Sequence, residues 1–313
     1  MTIFRISSLL TAACLLAGTT LSWAETVRVG TWKTQQTIQP FVYQQFLPKG
    51  QSVEVRTFTN PGDMKTALLA GSLDFTGTTL VQAIISASKG EPVVIVASLS
   101  NKCSALVVAN DSRINKTADL KGKRIGYVPG TMHHVLLLET LAKAGLTTRD
   151  VELIRVDFFD MLAALSRNKI DAFLSGEPYP SMAQIQGTGK ILSYPYFGNS
   201  IGKINSGMLT TRNEISRNPA KIQALVTAHV QATEHLKKNT DVWIREAASF
   251  GFDPKVLKAA AANIELSWDI DDAYIAHAKS LANRMKSLGV IERLPNMDTL
   301  FDTRFVKTAR KSL

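Results

Sequence analysis

Cysteine is scarce in this chain, and only Cys14 and Cys103 occur in 313 residues. Two thiols are too few for a disulfide scaffold or for a multi-cysteine metal cluster. A Gly-x-Gly-x-x-Gly fingerprint and a Walker loop, the sequence signals of dinucleotide and nucleotide binding, are also missing. His133 and His134 are adjacent, so they lack the three- or four-residue spacing of a metal site on a helix. We expect neither a metal nor another cofactor.

Long apolar runs are missing as well. The apolar run at residues 9–18 is shorter than the roughly 18 residues that a membrane-spanning helix needs. Arg5 precedes this run and Ser22-Trp23-Ala24 follows it, which is the pattern of a secretory signal peptide over residues 1–24, cleaved after Ala24. A lipid anchor at Cys14 stays an alternative, although Thr11 stands where a lipobox has leucine. We therefore expect an exported, periplasmic protein.

Acidic residues are outnumbered: 26 Asp and Glu face 36 Lys and Arg, and the formal net charge is +10. The basic residues are scattered and do not alternate with aromatic residues as in a nucleic-acid track, so we expect no nucleic-acid partner. Two interpretations of the charge stay open. It is either a solvated basic surface or a mild electrostatic bias toward anionic ligands.

Short β-like runs alternate with helical patterns, which predicts an α/β fold. Residues 27–30 and 53–56 alternate in side-chain type like half-buried strands, whereas residues 93–97 and 105–108 are continuous apolar runs, as in strands covered on both faces. Asn60-Pro61 predicts a capped helix start, and Gly71 predicts the end of that helix.

One segment of the chain is repeated. Residues 63–74 match residues 160–171 at a constant offset of 97, with Asp, Met, Ala, Leu and Asp coinciding. Gly71 and Asn168 stand at the same place in the two copies, and both residue types end helices in the left-handed conformation. The repeat predicts two lobes of similar design, with the helical stretches 219–239, 255–263 and 272–288 packed on the first.

Ligands of open α/β sheets bind outside the carboxyl ends of the strands. The segments that follow predicted strands are rich in hydroxyls, glycine, amides and aromatics; they are residues 31–33, 76–79, 100–101, 129–134, 158–160 and 175–179. This chemistry suits a small polar ligand under an aromatic lid. The turn at Gly130-Thr131 opens a helix and is a candidate anion site, because unpaired N–H groups converge there.

Four motifs occur in order at a familiar spacing: residues 69–75, residues 118–126, residues 170–173 and Glu177-Pro178. Together they resemble the nitrate/sulfonate/taurine-type periplasmic substrate-binding proteins of ABC importers, the SsuA/THI5-like (NMT1-type) family. The resemblance implies a type II periplasmic-binding fold, in which two α/β lobes clamp a ligand and C-terminal helices pack on lobe 1. It places the crossings near Asn110 and Ile204, so that lobe 1 holds residues 25–109 and 205–313 and lobe 2 holds residues 110–204.

The same resemblance implies a ligand-binding set on the candidate loops: Trp32, Lys33, Thr78, Ser100, Asn101, Thr131, Met132, His133 and Glu177. It implies a non-enzymatic monomer that captures a sulfonate, taurine or nitrate by hinge closure and delivers it to an ABC permease and its ATPase subunit. The alternative ligand is a thiamine-precursor-like pyrimidine or another heterocycle. A periplasmic sensor and a pyrimidine synthase are the rival functions. The synthases of this fold use a cysteine cluster, whereas the exported chain keeps only Cys103.

Overall fold

The computed structural model describes residues 25–198 and 200–313; the expected signal peptide and Cys14 lie outside the described residues. The strands are β1 (Glu25–Thr31), β2 (Gln51–Thr57), β3 (Phe75–Thr79), β4 (Val93–Lys102), β5 (Ser104–Ala109), β6 (Arg124–Tyr127), β7 (Glu152–Arg155), β8 (Ala172–Gly176), β9 (Gly189–Ser193), β10 (Ile204–Thr211) and β11 (Ile264–Leu266). The helices are α1 (Pro61–Leu69), α2 (Leu80–Ser88), α3 (Met132–Lys143), α4 (Met161–Ser166), α5 (Tyr179–Ile185), α6 (Arg212–Arg217), α7 (Pro219–Lys238), α8 (Thr240–Ala248), α9 (Pro254–Ala261), α10 (Asp272–Ser287) and α11 (Arg304–Ala309).

Within the described residues the strands form two sheets, which define two lobes. The first sheet has the order β11-β4-β10-β3-β1-β2, and the second has the order β7-β6-β8-β5-β9. In each sheet three neighbouring strands are parallel, namely β2, β1 and β3 in the first and β7, β6 and β8 in the second. An antiparallel strand then follows, β10 or β5. The predicted α/β fold with two similar lobes is therefore confirmed.

The repeated segment builds the same unit in both lobes. Asn60 caps α1 by accepting hydrogen bonds from the backbone N–H groups of Gly62 and Asp63, as predicted. Gly71 has a φ of 73° just after α1, and Asn168 has a φ of 54° just after α4. Both helices thus end at a left-handed residue, a conformation that glycine and asparagine adopt at low cost.

Each repeat carries the same ion pair, between an arginine of one parallel strand and the aspartate directly before the next strand. Arg28 donates to Asp74 from its backbone N (2.8 Å) and its Nη2 (2.9 Å). In the second lobe Arg124 donates to Asp171 from its backbone N (2.8 Å) and its Nη2 (2.7 Å). The aspartate of the repeated motif therefore ties the start of one strand to the neighbouring parallel strand in both lobes.

The first passage between the sheets differs from the expectation. Strand β5 pairs with β8 and β9 of the second sheet, so the chain leaves the first sheet at Lys102-Cys103 rather than near Asn110. Both residues have a positive φ, 59° and 76°. The apolar run 104–109 predicts a buried strand but not its sheet, because either interior would cover it. The second passage lies between β9, which ends at Ser193 in the second sheet, and β10, which begins at Ile204 in the first.

The C-terminal helices pack mainly against the first lobe. Trp243 of α8 donates from Nε1 to the backbone O of Gln35 (2.8 Å). His229 of α7 is buried between the hydroxyl of Tyr43 (2.7 Å) and the backbone O of Ser98 (2.7 Å). Helix α9 also contacts α5 of the second lobe. Across residues 25–198 and 200–313, no helix combines the length and the apolar character needed to cross a membrane.

Candidate ligand site between the lobes

A small cavity lies between the lobes at the carboxyl ends of their strands. The residues from the first lobe follow β1, and those from the second lobe come from α3, from the segment after β7, and from the end of β8 and the segment after it. The cavity is lined by Trp32, Thr34, Gln36, His133, Phe158, Phe159, Gly176, Glu177 and Tyr179. Its position is the one that the open-sheet rule predicts.

Aromatic rings form most of the cavity wall. Trp32 of the first lobe meets Phe158 of the second, with ring centroids 5.6 Å apart. His133 packs edge-on against Phe158 (5.4 Å), and Phe159 packs edge-on against Tyr179 (5.8 Å). Such a wall offers stacking faces and ring edges to a flat ligand.

Three buried polar atoms of the lining residues have no hydrogen-bond partner among the described residues. They are Nε1 of Trp32, Oε1 of Gln36 and Nδ1 of His133. Buried polar atoms in folded proteins are nearly always hydrogen-bonded. These atoms are therefore the natural partners for the polar groups of a ligand, with the indole N–H as a donor and the amide oxygen as an acceptor.

Glu177 supplies the acidic group of the cavity, and only 1% of this residue is exposed. Its carboxylate accepts hydrogen bonds from the backbone N of Ser181 (3.1 Å) and from Nδ2 of Asn263 (3.3 Å). Burial raises its pKa to about 7, although these hydrogen bonds favour the charged form. The carboxyl group is thus poised between its two protonation states at neutral pH.

His133 and Cys103 lie close together but do not form a reactive pair. The Cys103 Sγ is 3.9 Å from Nε2 of His133. Burial lowers the pKa of His133 to about 4 and raises the pKa of the Cys103 thiol far above its usual value. Both groups are therefore neutral at pH 7, whereas a nucleophilic cysteine needs a thiolate.

Positive side chains are absent from the nine lining residues. Lys33 follows Trp32 directly, but its side chain is exposed and does not line the cavity. The only ionisable side chains with a pKa near or below 7 in this wall are Glu177 and the neutral His133. The cavity therefore gives a ligand hydrogen bonds, ring faces and one acidic group.

The predicted binding residues divide into two groups. Trp32, His133 and Glu177 line the cavity. The other residues lie outside its lining: Lys33, Thr78, Ser100, Asn101, Thr131 and Met132.

Local hydrogen bonds explain two of these positions outside the lining. The Ser100 hydroxyl is hydrogen-bonded to the Ser206 hydroxyl (2.7 Å). The Thr131 hydroxyl donates to the backbone O of Val128 (2.8 Å) and caps α3. Both side chains hold strands or helix ends in place. Met132 is packed in the hydrophobic core. Thr78 and Asn101 keep oxygens without a partner outside the cavity wall.

Six lining residues were missing from the predicted set: Thr34, Gln36, Phe158, Phe159, Gly176 and Tyr179. Four of them lie on segments that the strand-end argument had selected, beside β7 and β8. Thr34 and Gln36 lie in the turn after β1, where Gln35–Thr37 forms a 3₁₀ helix. The signal for them is the run of uncharged polar residues at 34–37, directly after a buried strand.

Gly176 allows the two lobes to approach each other. A Cβ atom at this position would lie 2.9 Å from Nε2 of Gln36 and 3.0 Å from the His133 ring. Real Cβ contacts are almost never that short, so a side chain here would push Gln36 and His133 apart. The cavity depends on a residue without a side chain at the end of β8.

The family profile described as "NMT1/THI5 like" matches residues 46–241. The chain belongs to this family. An Escherichia coli (strain K12) protein provisionally named as an aliphatic sulfonates-binding protein is 30% identical over 171 residues, which cover 54% of this chain and 53% of that protein. A Haemophilus influenzae protein provisionally named for thiamine biosynthesis is 30% identical over 159 residues, 50% of each chain. This chain thus matches about half the length of these two relatives.

This NMT1/THI5-like chain also resembles a solved binding protein and an enzyme. The alkanesulfonate-binding protein SsuA from Xanthomonas axonopodis pv. citri, solved with MOPS, superposes with a TM-score of 0.80 at 22% identity and covers 89% of this chain and 98% of its own. The periplasmic-binding fold is therefore confirmed. A Schizosaccharomyces pombe relative, 30% identical over 39% of this chain and 35% of its own, is named 4-amino-5-hydroxymethyl-2-methylpyrimidine phosphate synthase.

Proposed function

We propose that this protein is the exported solute-binding component of an ABC importer. A ligand enters the open cleft, the lobes close on it, and the closed monomer delivers it to a membrane permease whose ATPase subunit powers transport. The family match, the two-lobe fold and the cavity between the lobes support this proposal. Hinge closure around a ligand is the usual mechanism of such two-lobe proteins.

The ligand that this cavity fits best is a small, flat nitrogen heterocycle of the aminopyrimidine kind. The observation that carries this choice is the lining itself, which combines four aromatic residues with a buried acidic group and contains no lysine or arginine. A sulfonate or nitrate would leave its negative charge beside Glu177 without a cation to balance it, and buried unpaired charges are costly.

An aminopyrimidine also matches the unpaired atoms. Its exocyclic amine donates hydrogen bonds, for which Glu177 and Oε1 of Gln36 are acceptors, and its ring nitrogens accept, for which Nε1 of Trp32 is a donor. The aromatic rings would cover its faces. Two relatives named for thiamine biosynthesis and for pyrimidine phosphate synthesis support the same ligand class.

The test is a calorimetric titration of wild type and Glu177→Gln with 4-amino-5-hydroxymethyl-2-methylpyrimidine, taurine, methanesulfonate and nitrate. Wild type should bind the pyrimidine, and the variant should bind it about 10- to 100-fold more weakly, because a hydrogen bond to a charged group is lost. Glu152→Gln makes the same chemical change on exposed β7 and should leave the affinity unchanged.

Binding of the anions would contradict the proposed ligand. Tight binding of nitrate or methanesulfonate, equal in wild type and Glu177→Gln, would show an anion site that ignores the carboxyl group. If taurine binds wild type but not Glu177→Gln, Glu177 pairs with a charged ligand group as proposed, but the ligand is a zwitterion and not a heterocycle.

A further inference from the structure

Asn263 reaches across the cleft to the acidic group of the cavity. It lies in the first lobe, between α9 and β11. Its Nδ2 is 3.3 Å from Oε1 of Glu177 and 3.3 Å from the backbone O of Ser104, both in the second lobe. Its Oδ1 accepts a hydrogen bond from the hydroxyl of Tyr196 (2.6 Å), on the second passage between the sheets.

The backbone around Asn263 strengthens this connection. Cys103, on the first passage, donates from its backbone N to the backbone O of Asn263 (2.7 Å). Glu177 in turn donates from its backbone N to the backbone O of Cys103 (2.9 Å). One asparagine therefore contacts both passages between the sheets and the carboxylate of the cavity at once. Any opening of the cleft that moves Glu177 away from Asn263 must break the bond between them.

We propose that Asn263 is a positioning residue that orients the Glu177 carboxylate for the ligand and holds the lobes closed around it. This inference rests on the proposed function, since it takes Glu177 as the ligand-facing group. An opening that separated Glu177 from Asn263 would remove this donor and leave the carboxylate with Ser181.

Few other groups can take over this task. The titratable groups that sense the charge of Glu177 are Cys103, Tyr194 and Tyr196, and the pKa of each is raised. His133, the other titratable group with a low pKa in the cavity wall, is neutral at pH 7. All four are uncharged at neutral pH. Among the described residues that donate to this carboxylate, Ser181 belongs to the second lobe and Asn263 to the first.

The first experiment needs no ligand. The ¹³C NMR signal of the Glu177 carboxyl group, assigned by its absence in Glu177→Gln, is titrated in Asn263→Ala and Asn263→Asp. Loss of the amide donor should move the midpoint of Glu177 up by about one pH unit in Asn263→Ala. Asn263→Asp should move it further, because it adds a negative charge but still accepts the Tyr196 hydrogen bond.

The matched control is Asn205→Ala. Asn205 is also an asparagine of the first lobe whose Nδ2 donates across to a passage between the sheets, at the backbone O of Lys102 (3.1 Å), but it does not reach Glu177. Its variant should leave the Glu177 midpoint unchanged. Tyr196→Phe removes the hydroxyl that holds Asn263 and should move the midpoint in the same direction as Asn263→Ala, by a smaller amount. This variant keeps the test possible if an Asn263 variant does not fold.

The second experiment measures dissociation of 4-amino-5-hydroxymethyl-2-methylpyrimidine by stopped-flow fluorescence. Asn263→Ala should release it at least 10-fold faster than wild type, and Asn205→Ala at the wild-type rate. Unchanged Glu177 midpoints in Asn263→Ala, Asn263→Asp and Tyr196→Phe would overturn the inference. Failure of the pyrimidine to bind wild type would contradict the proposed ligand instead, because the NMR titration is independent of it.

Discussion

Strand β3 of the first lobe and strand β8 of the second are equivalent, five residues long and buried throughout, but they end differently. β3 ends at Thr79, whose hydroxyl caps α2 by accepting from the backbone N of Gln82. β8 ends 97 residues later at Gly176, and Glu177 follows where the first lobe has Leu80. The equivalent strand therefore leads into a helix in the first lobe and into the ligand cavity in the second.

The two lobes also differ in the burial of their ion pairs and in their share of the cavity wall. Asp74 is only 3% exposed in its ion pair and has Lys221 of α7 as a further partner, whereas Asp171 is 29% exposed in its pair with Arg124. The first lobe supplies three lining residues and carries the C-terminal helices, while the second supplies six. The first lobe is thus the more stabilised of the two repeats, and the second lobe carries most of the residues that line the cavity.

The largest effect is expected from giving the second lobe the residue of the first. Gly176→Thr places a side chain where a Cβ would already lie within 3.0 Å of Gln36 and His133, so both side chains must shift and the added side chain fills part of the space for a ligand. Binding of 4-amino-5-hydroxymethyl-2-methylpyrimidine should fall about 100-fold or more by calorimetry. The reverse change, Thr79→Gly, removes only a helix cap and should leave binding intact. Equal binding by both variants would contradict the assignment of the cavity.

The two ion pairs should differ in their contribution to the free energy of unfolding. Asp74→Asn leaves Arg28 without its buried carboxylate and leaves Lys221 with Glu214, and it should cost about 2 kcal/mol. Asp171→Asn breaks a more exposed pair and should cost about 1 kcal/mol. Urea denaturation at pH 7 measures both values. A larger loss of unfolding free energy in Asp171→Asn would show that the second lobe is the more stabilised of the two.

The buried histidines should make the protein sensitive to acid. Burial lowers the pKa of both His133 and His229 to about 4. Unfolded histidine has a pKa near 6.5, so the unfolded state binds more protons below this pH and the free energy of unfolding falls as the pH drops toward 4. Between pH 6.5 and pH 5 each histidine should account for roughly 2 kcal/mol.

Single substitutions separate the two histidines. His133→Gln should remove its share of the acid sensitivity with little loss at pH 7, because Nδ1 of His133 has no partner to lose. His229→Gln should lower the free energy of unfolding at every pH, because the bonds to Tyr43 and Ser98 are lost. An unchanged pH slope in His133→Gln would mean that this imidazole is not buried as described.

The smallest effect is spectroscopic. Trp32 contacts Phe158 across the cleft, whereas Trp243 is hydrogen-bonded within the first lobe. Trp32→Phe should therefore abolish the change in tryptophan fluorescence on adding the pyrimidine, and Trp243→Phe should preserve it. A signal that survives in Trp32→Phe and disappears in Trp243→Phe would place the ligand elsewhere.

The sequence predicted those features that depend on local pattern. The helix cap at Asn60, the left-handed helix ends at Gly71 and Asn168, and the two similar lobes all follow from residue types at fixed spacing. Strand ends pointed to the loops that carry Trp32 and Glu177, because ligands of open sheets bind there.

The remaining features depend on tertiary packing. Strand β5 could join either sheet, so the passage at Lys102-Cys103 was not evident from its apolar run. The backbone conformation of a loop decides whether a polar side chain faces the cavity or bonds the local backbone. Gln36 faces the cavity, whereas the Thr131 hydroxyl bonds the backbone O of Val128. Asn263 was missed because its partners are about 90 and 160 residues away, at Glu177 and Ser104.

The most direct test of the proposed function is a thermal-shift screen of residues 25–313, unfolded and refolded to remove bound ligand. The compounds are 4-amino-5-hydroxymethyl-2-methylpyrimidine, thiamine, taurine, methanesulfonate and nitrate. A ligand at 100 times its Kd stabilises the folded state by about 2.7 kcal/mol, which raises the Tm by about 5 °C. We predict this shift with the aminopyrimidine and none with nitrate or methanesulfonate. A shift with either anion and none with the heterocycle would contradict the proposed ligand.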